Sequence, residues 1–119
     1  MASINIPKEQ WTAFCNDFSK TYKNWLTTLT VDSPYTNRHL MVRELPFKGI
    51  TAEQQESTDS IAILLQEKND NDLNHIIGDA QEIESEDTSA LGGTVYLKIK
   101  ARNGEINHLY LRHPPEDLL

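Results

Sequence analysis

Pro7-Lys8-Glu9-Gln10-Trp11-Thr12-Ala13-Phe14-Cys15-Asn16-Asp17-Phe18-Ser19-Lys20-Thr21-Tyr22 is the stretch that decides the fold. Trp11, Phe14, Cys15, Phe18 and Tyr22 recur at three- and four-residue steps, which lays one apolar stripe along a helix. Pro7 suits a first helical turn, where its missing N–H has no partner to lose, and Asn5 or Ile6 is the expected cap. Glu9 falls toward the positive end of the helix dipole, Lys20 and Lys23 toward the negative end. Burying the stripe gains about as much as ordering the segment loses in backbone entropy. The helix, over residues 7–22, therefore requires a surface to dock on.

From Trp25 onward apolar residues alternate in twos instead. Residues 24–31 place Trp25, Leu29 and Val31 on one face and Leu26, Thr28 and Thr30 on the other. Ser33-Pro34-Tyr35-Thr36-Asn37 reads as a turn. Strands are expected over 38–45 and 48–55, with Pro46 and Gly49 bending the chain between them. A strand over 59–66 sets Ile61, Ile63 and Leu65 against Ala62 and Leu64. Lys68 to Asp72 reads as a polar turn, 73–85 as a strand interrupted at Gly78-Asp79, and Glu86 to Gly93 as an acidic loop.

Asn103-Gly104 between two alternating runs signals a hairpin, read here as a two-residue type I′ turn. That register sets Arg102 opposite Glu105, Lys100 opposite Asn107, Ile99 opposite His108 and Leu97 opposite Tyr110. Val95, Leu97, Ile99, Ala101, Ile106 and Tyr110 then face the core. Tyr96, Lys98, Lys100 and Arg102 share the outer face with Leu109 and Leu111. The expected fold is mostly β (α+β): one N-terminal amphipathic helix, then a six- to seven-stranded antiparallel curved sheet or small barrel with the helix closing an open end. Residues 1–113 form one domain and 114–119 a short tail.

A net charge of −7 over 119 residues disfavours non-specific contact with nucleic acid or anionic membrane. No run approaches the ~20 apolar residues that span a bilayer. Met1-Ala2-Ser3-Ile4-Asn5 lacks the basic start and apolar run of an export signal, so a cytoplasmic location is expected. The single Cys15 agrees with a reducing compartment. Charge is uneven along the chain. Residues 53–87 hold eleven acids against one base, Lys68, which leaves a net +3 on the flanks. These acids read first as solvated loops and strand faces, and second as an acidic surface for a basic partner.

No motif announces catalysis, a metal or a cofactor. His39, His75, His108 and His113 lack short ligand spacings, and His108 and His113, five apart on one strand, point to opposite faces. Cys15 lies within the aromatic stripe as a small hydrophobe. No nucleophile elbow or phosphate-binding glycine signature occurs. His75 in Leu73-Asn74-His75-Ile76-Ile77 faces inward with its apolar neighbours, as a core histidine or as the polar group of a ligand cavity. Lys98, Lys100 and Arg102 beside Tyr96 make too small a basic stripe for nucleic acid, while Tyr96 with Leu109 and Leu111 would form an apolar patch suited to a protein contact.

Ile6-Pro7-Lys8-Glu9-Gln10-Trp11, Phe14, Phe18-Ser19 and Trp25-Leu26-Thr27 resemble the pattern of a family of small bacterial proteins known only as a domain of unknown function. Asp59-Ser60-Ile61-Ala62-Ile63, Leu73-Asn74-His75-Ile76-Ile77 and Leu109-Tyr110-Leu111-Arg112 are similar to its later segments. The family's His-x-x-His-like element is reduced here to His75, with Asp72 at the other position. The resemblance implies a shared fold and carries no activity across.

Three functions follow in order. The first is a non-catalytic interaction module, with a protein partner or self-association through the acidic face or the Tyr96/Leu109/Leu111 face. The second is a barrel for a small apolar ligand, oriented by His75 or His108 and lined by Trp25, Ile63, Leu97 and Tyr110. The third is an enzyme with dispersed carboxylate or histidine catalysts.

Overall fold

The aromatic stripe docks as its spacing demands. In the computed structural model, which describes residues 3–54, 58–67, 71–87 and 94–114, helix α1 spans Trp11–Thr21 behind a single 3-10 turn at Lys8–Gln10. Trp11, Cys15 and Phe18 are buried, with Phe14 and Tyr22 packed at the margin. Phe18 meets Phe47 edge-on, centroids 5.6 Å apart. Ser19 fixes the helix along the sheet: its hydroxyl donates to the Ile50 carbonyl at 3.0 Å and accepts from the Ile50 N–H at 2.8 Å. The helix entry differs from the expected cap. Ile4–Asn5 forms a short strand, β1, opposite Ser85 and Glu84, and no side chain caps either helical turn. The Trp11 indole N–H donates to the Ile6 carbonyl at 2.9 Å, so the sheet, through β1, positions the start of the helix.

Seven further strands follow among the described residues: β2 (Leu26–Ser33), β3 (Thr36–Gln54), β4 (Asp59–Gln66), β5 (Asp72–Ile77), β6 (Ala80–Asp87), β7 (Val95–Ala101) and β8 (Ile106–Arg112). They form one antiparallel sheet in the order β1-β6-β7-β8-β2-β3-β4-β5, curved but unclosed. The two strands expected over 38–45 and 48–55 are one. Glu44 adopts a left-handed backbone (φ 56), Pro46 lacks an N–H, and the pairing slips between Phe47 and Gly49. Bulges of this kind bend a strand without ending it. The strand expected over 73–85 is instead two, β5 and β6, reversed at Gly78-Asp79 with Asp79 at φ 50. Glu86 and Asp87, expected in a loop, extend β6, and Asp72 opens β5. The rest of the expected acidic loop (88–93), residues 68–70 of the expected turn, and tail residues 115–119 lie outside the described residues.

The concave face is the core. Thr27, Leu29 and Val31 of β2, Ile61, Ile63 and Leu65 of β4, and Val95, Leu97, Ile99 and Ala101 of β7 alternate inward and are buried. Ala62 and Leu64 point the other way and are half-buried.

Strand β8 overturns the expected facing. Lys98 lies opposite His108, Leu97 opposite Leu109 and Ile99 opposite Asn107, one residue from the type I′ register. The Ala101 N–H donates to the Glu105 carbonyl at 2.9 Å, and the Gly104 N–H to the Ala101 carbonyl at 3.1 Å. The loop is therefore three residues, Arg102-Asn103-Gly104. Gly104 alone of the three carries positive φ (92), whereas a type I′ turn needs it at both central positions. The Asn103 Oδ1 accepts the Glu105 N–H at 2.9 Å, an Asx turn that holds the three-residue form. Slipping a strand by one residue moves every side chain to the other face. Leu109 and Leu111 are consequently fully buried, and the core places assigned to Ile106 and Tyr110 belong to Asn107, Leu109 and Leu111.

A Cβ added at Gly104 would sit 2.6 Å from Pro34 Cγ at the tip of the β2–β3 hairpin. Gly104→Ala combines that overlap with a backbone disfavoured for L residues and is expected to cost about 1–3 kcal/mol in urea unfolding. Gly78→Ala, whose Cβ would meet nothing within 4 Å, is the matched control and should change stability by less than about 0.5 kcal/mol.

Candidate functional site

The one-residue register of β8 sorts its polar residues onto two faces and so builds two clusters, one convex and one concave.

On the convex face, four adjacent strands bring together Tyr96 (β7), His108 and Tyr110 (β8), Asp32 (β2) and Arg38 (β3). The His108 Nε2 lies 2.8 Å from Asp32 Oδ2, and its Nδ1 lies 2.6 Å from the Tyr96 hydroxyl. A carboxylate only accepts, so Nε2 carries the proton and Nδ1 accepts from the tyrosine. Arg38 closes the far side with Nε 3.1 Å from Asp32 Oδ1 and Nη2 2.9 Å from Oδ2, a two-pronged pair. The three rings stack, Tyr96 and Tyr110 at 5.0 Å, His108 and Tyr110 inclined by only 8°. Burial pulls the His108 pKa below its ordinary value despite the Asp32 hydrogen bond, so the ring is neutral. Burial likewise pushes the Tyr96 phenol up to about 12, and the Arg38 hydrogen bond holds Asp32 below the usual carboxylate range. Both nitrogens of His108 are engaged. The cluster is a clasp across four strands, with its strongest donors and acceptors already satisfied.

The concave face opens, beside the β7–β8 hairpin, into a cleft of about 640 Å³. Val31, Met41, Ile77 and Ala101 give it apolar walls, and the hairpin residues Arg102, Asn103 and Glu105 flank it. Two of its polar lining residues are joined to each other. Asn107, buried at 4% exposure, donates from Nδ2 to the Ile99 carbonyl at 3.4 Å, and its Oδ1 lies 2.9 Å from His75 Nε2. His39 and Asp79 also line the cleft.

The residues expected to form sites are thus distributed. His75 lines the cleft, whereas His108, Tyr96 and Tyr110 belong to the clasp. Trp25 packs edge-on to Tyr22 at 4.9 Å and to His113 at 5.2 Å, beside the helix C-terminus. Ile63 and Leu97 are in the packed core, so the cavity expected around Trp25, Ile63, Leu97 and Tyr110 is replaced by this cleft. The Tyr96/Leu109/Leu111 patch does not exist, because both leucines point inward. Lys98 and Lys100 pair with Glu84 (3.2 Å) and Glu82 (3.4 Å) on the neighbouring strand, and the Arg102 side chain stands exposed beside the cleft. Lys8 pairs with Asp59 and Lys48 with Asp72, so four acids of the 53–87 stretch meet bases from outside it.

Asn107, Asp32 and Arg38 were missed. Asn107 was placed on the outer face by the slipped register. Asp32 and Arg38, of opposite charge, flank the Pro34-Tyr35 turn, and that was the available signal. Cys15, whose pKa burial raises to about 11, is inert packing.

Because the folded state holds His108 below its ordinary pKa of about 6.5, the unfolded chain takes up the proton first as pH falls. The clasp's contribution is complete above that value and declines as pH drops from 7 towards 5. Thermal unfolding should show Tm decreasing over that window, and His108→Gln should flatten the decrease. Asp32, whose pKa is lowered, adds its own loss only further into acid.

Among the described residues no helix is long and apolar enough to cross a membrane. No curated protein and no solved structure matches the chain. The model of DUF5335, a family of unknown function, matches residues 2–118, and the chain belongs to that family.

Proposed function

We propose that this domain is a non-catalytic binding module that takes a small amphipathic ligand in the concave cleft. The observation that carries this reading is the pair of buried Asn107 and half-buried His75 set among Val31, Met41, Ile77 and Ala101. Small-molecule sites are typically concave, of roughly 300–1,000 Å³, mostly apolar, and oriented by a few polar groups. The cleft fits this in volume, at about 640 Å³, and in its apolar walls, with His75 and Asn107 among the polar residues of its lining. Binding without turnover is supported by the state of the reactive groups elsewhere: the Cys15 thiol is buried and protonated, and His108 is engaged at both nitrogens. In this reading His75, not His108, is the orienting histidine.

Met41 is half-exposed on the cleft wall, so Met41→Arg can place a charge there without burying it. Titration of the ¹⁵N-labelled chain with small aromatic probes should give saturable shifts at Val31, Ile77 and Ala101, weakened about tenfold in Met41→Arg. Shifts confined to the helix side, or none at all, would reject the cleft as the site.

A second reading, self-association, has one specific observation in its favour. Strand β5 is a sheet edge, and its Ile76 is 64% exposed. Two such edges can pair antiparallel about a two-fold axis. Light scattering would then report a dimer that Ile76→Lys converts to monomer; a wild-type monomer at high concentration removes this reading.

A further inference from the structure

Resting on the cleft as the binding site, we infer that its ligand carries a neutral hydrogen-bond donor, an aromatic N–H or a hydroxyl, which docks on Nδ1 of His75. The inference follows from a chain of hydrogen bonds that fixes where protons sit. The Ile99 carbonyl can only accept, so the buried Asn107 amide must turn its Nδ2 toward it. The reversed amide would set Oδ1 against that carbonyl, two acceptors facing one another in a buried place. With Nδ2 so committed, Asn107 Oδ1 faces His75 Nε2 at 2.9 Å, and the histidine must donate from that nitrogen. The neutral ring then has its proton on Nε2 and a bare lone pair on Nδ1.

His108 makes the comparison. Its proton is also on Nε2, directed by Asp32, but its Nδ1 is satisfied by the Tyr96 hydroxyl. His75 has no such second partner among the described residues, and it lines a cleft with apolar walls. An oriented acceptor beside Ile77 favours an apolar molecule with one donor and leaves an acceptor-only analogue facing an unmatched lone pair. The selectivity is thus built in from a backbone carbonyl, through two side chains, to the ligand.

Indole and 1-methylindole differ in the one N–H that matters and serve as probes. In ¹⁵N-labelled full-length chain at pH 7.5, indole is expected to shift the Val31, Ile77 and Ala101 amides saturably, with 1-methylindole about tenfold weaker. His75→Phe should erase that difference while keeping a dispersed spectrum. Independently of any variant, the long-range ¹H–¹⁵N spectrum of the His75 ring should show the proton on Nε2. Equal binding of both probes, or a proton on Nδ1, overturns the donor inference and leaves the cleft standing as a site. Failure of both probes to shift the cleft overturns the inference together with the reading beneath it.

Discussion

The hydrogen bond from the Ala101 N–H to the Glu105 carbonyl sets the length of the β7–β8 loop, and much of the molecule's surface chemistry depends on that length. A three-residue loop puts Asn107, Leu109 and Leu111 on the concave side and His108 and Tyr110 on the convex side. Two-residue closure would reverse all five. The core would lose two leucines, His108 would leave Asp32 and Tyr96, and Asn107 would leave His75. One loop residue therefore decides both the packing of the central strand and the identity of the two polar clusters. The loop is held in turn by the Asn103 side chain and by the approach of Gly104 to Pro34, which ties one hairpin tip to another.

Charge shows the same dependence on topology. The 53–87 stretch is strongly acidic along the chain, yet the sheet order sets β6 beside β7 and so places Glu82 and Glu84 against Lys100 and Lys98. Opposite charges facing one another across strands stabilise a sheet modestly and keep its face from acting as a polyanion or a polycation. Folding therefore undoes part of the segregation seen in sequence. A cross-strand ladder sets two of these acids against two bases of the stripe.

The helix and the inner faces of β2, β4 and β7 were legible because each rests on a local period: three-and-four for Trp11, Cys15 and Phe18, and two for Ile61, Ile63 and Leu65. The hairpin's existence was equally local. Its register was not, since Asn-Gly is compatible with both a two-residue turn and a three-residue loop, and only Asn103's negative φ separates them. Pro46 and Gly49 announced a bend without saying that pairing continues through it, and the two residues of β1 are too few to carry a period. His75 was recognised as an inward polar group. Its partner Asn107 was hidden behind the register error, and with it the cleft's position.

The central claim is that β7 and β8 pair with Lys98 opposite His108 and Leu97 opposite Leu109. Cross-strand nuclear Overhauser contacts along this hairpin test it most directly, because adjacent registers give different lists of facing residues. The account predicts backbone contacts joining Leu97 to Leu109 and Ile99 to Asn107. Contacts joining Leu97 to Tyr110 and Ile99 to His108 would contradict it, and both clusters would have to be rebuilt on the opposite faces.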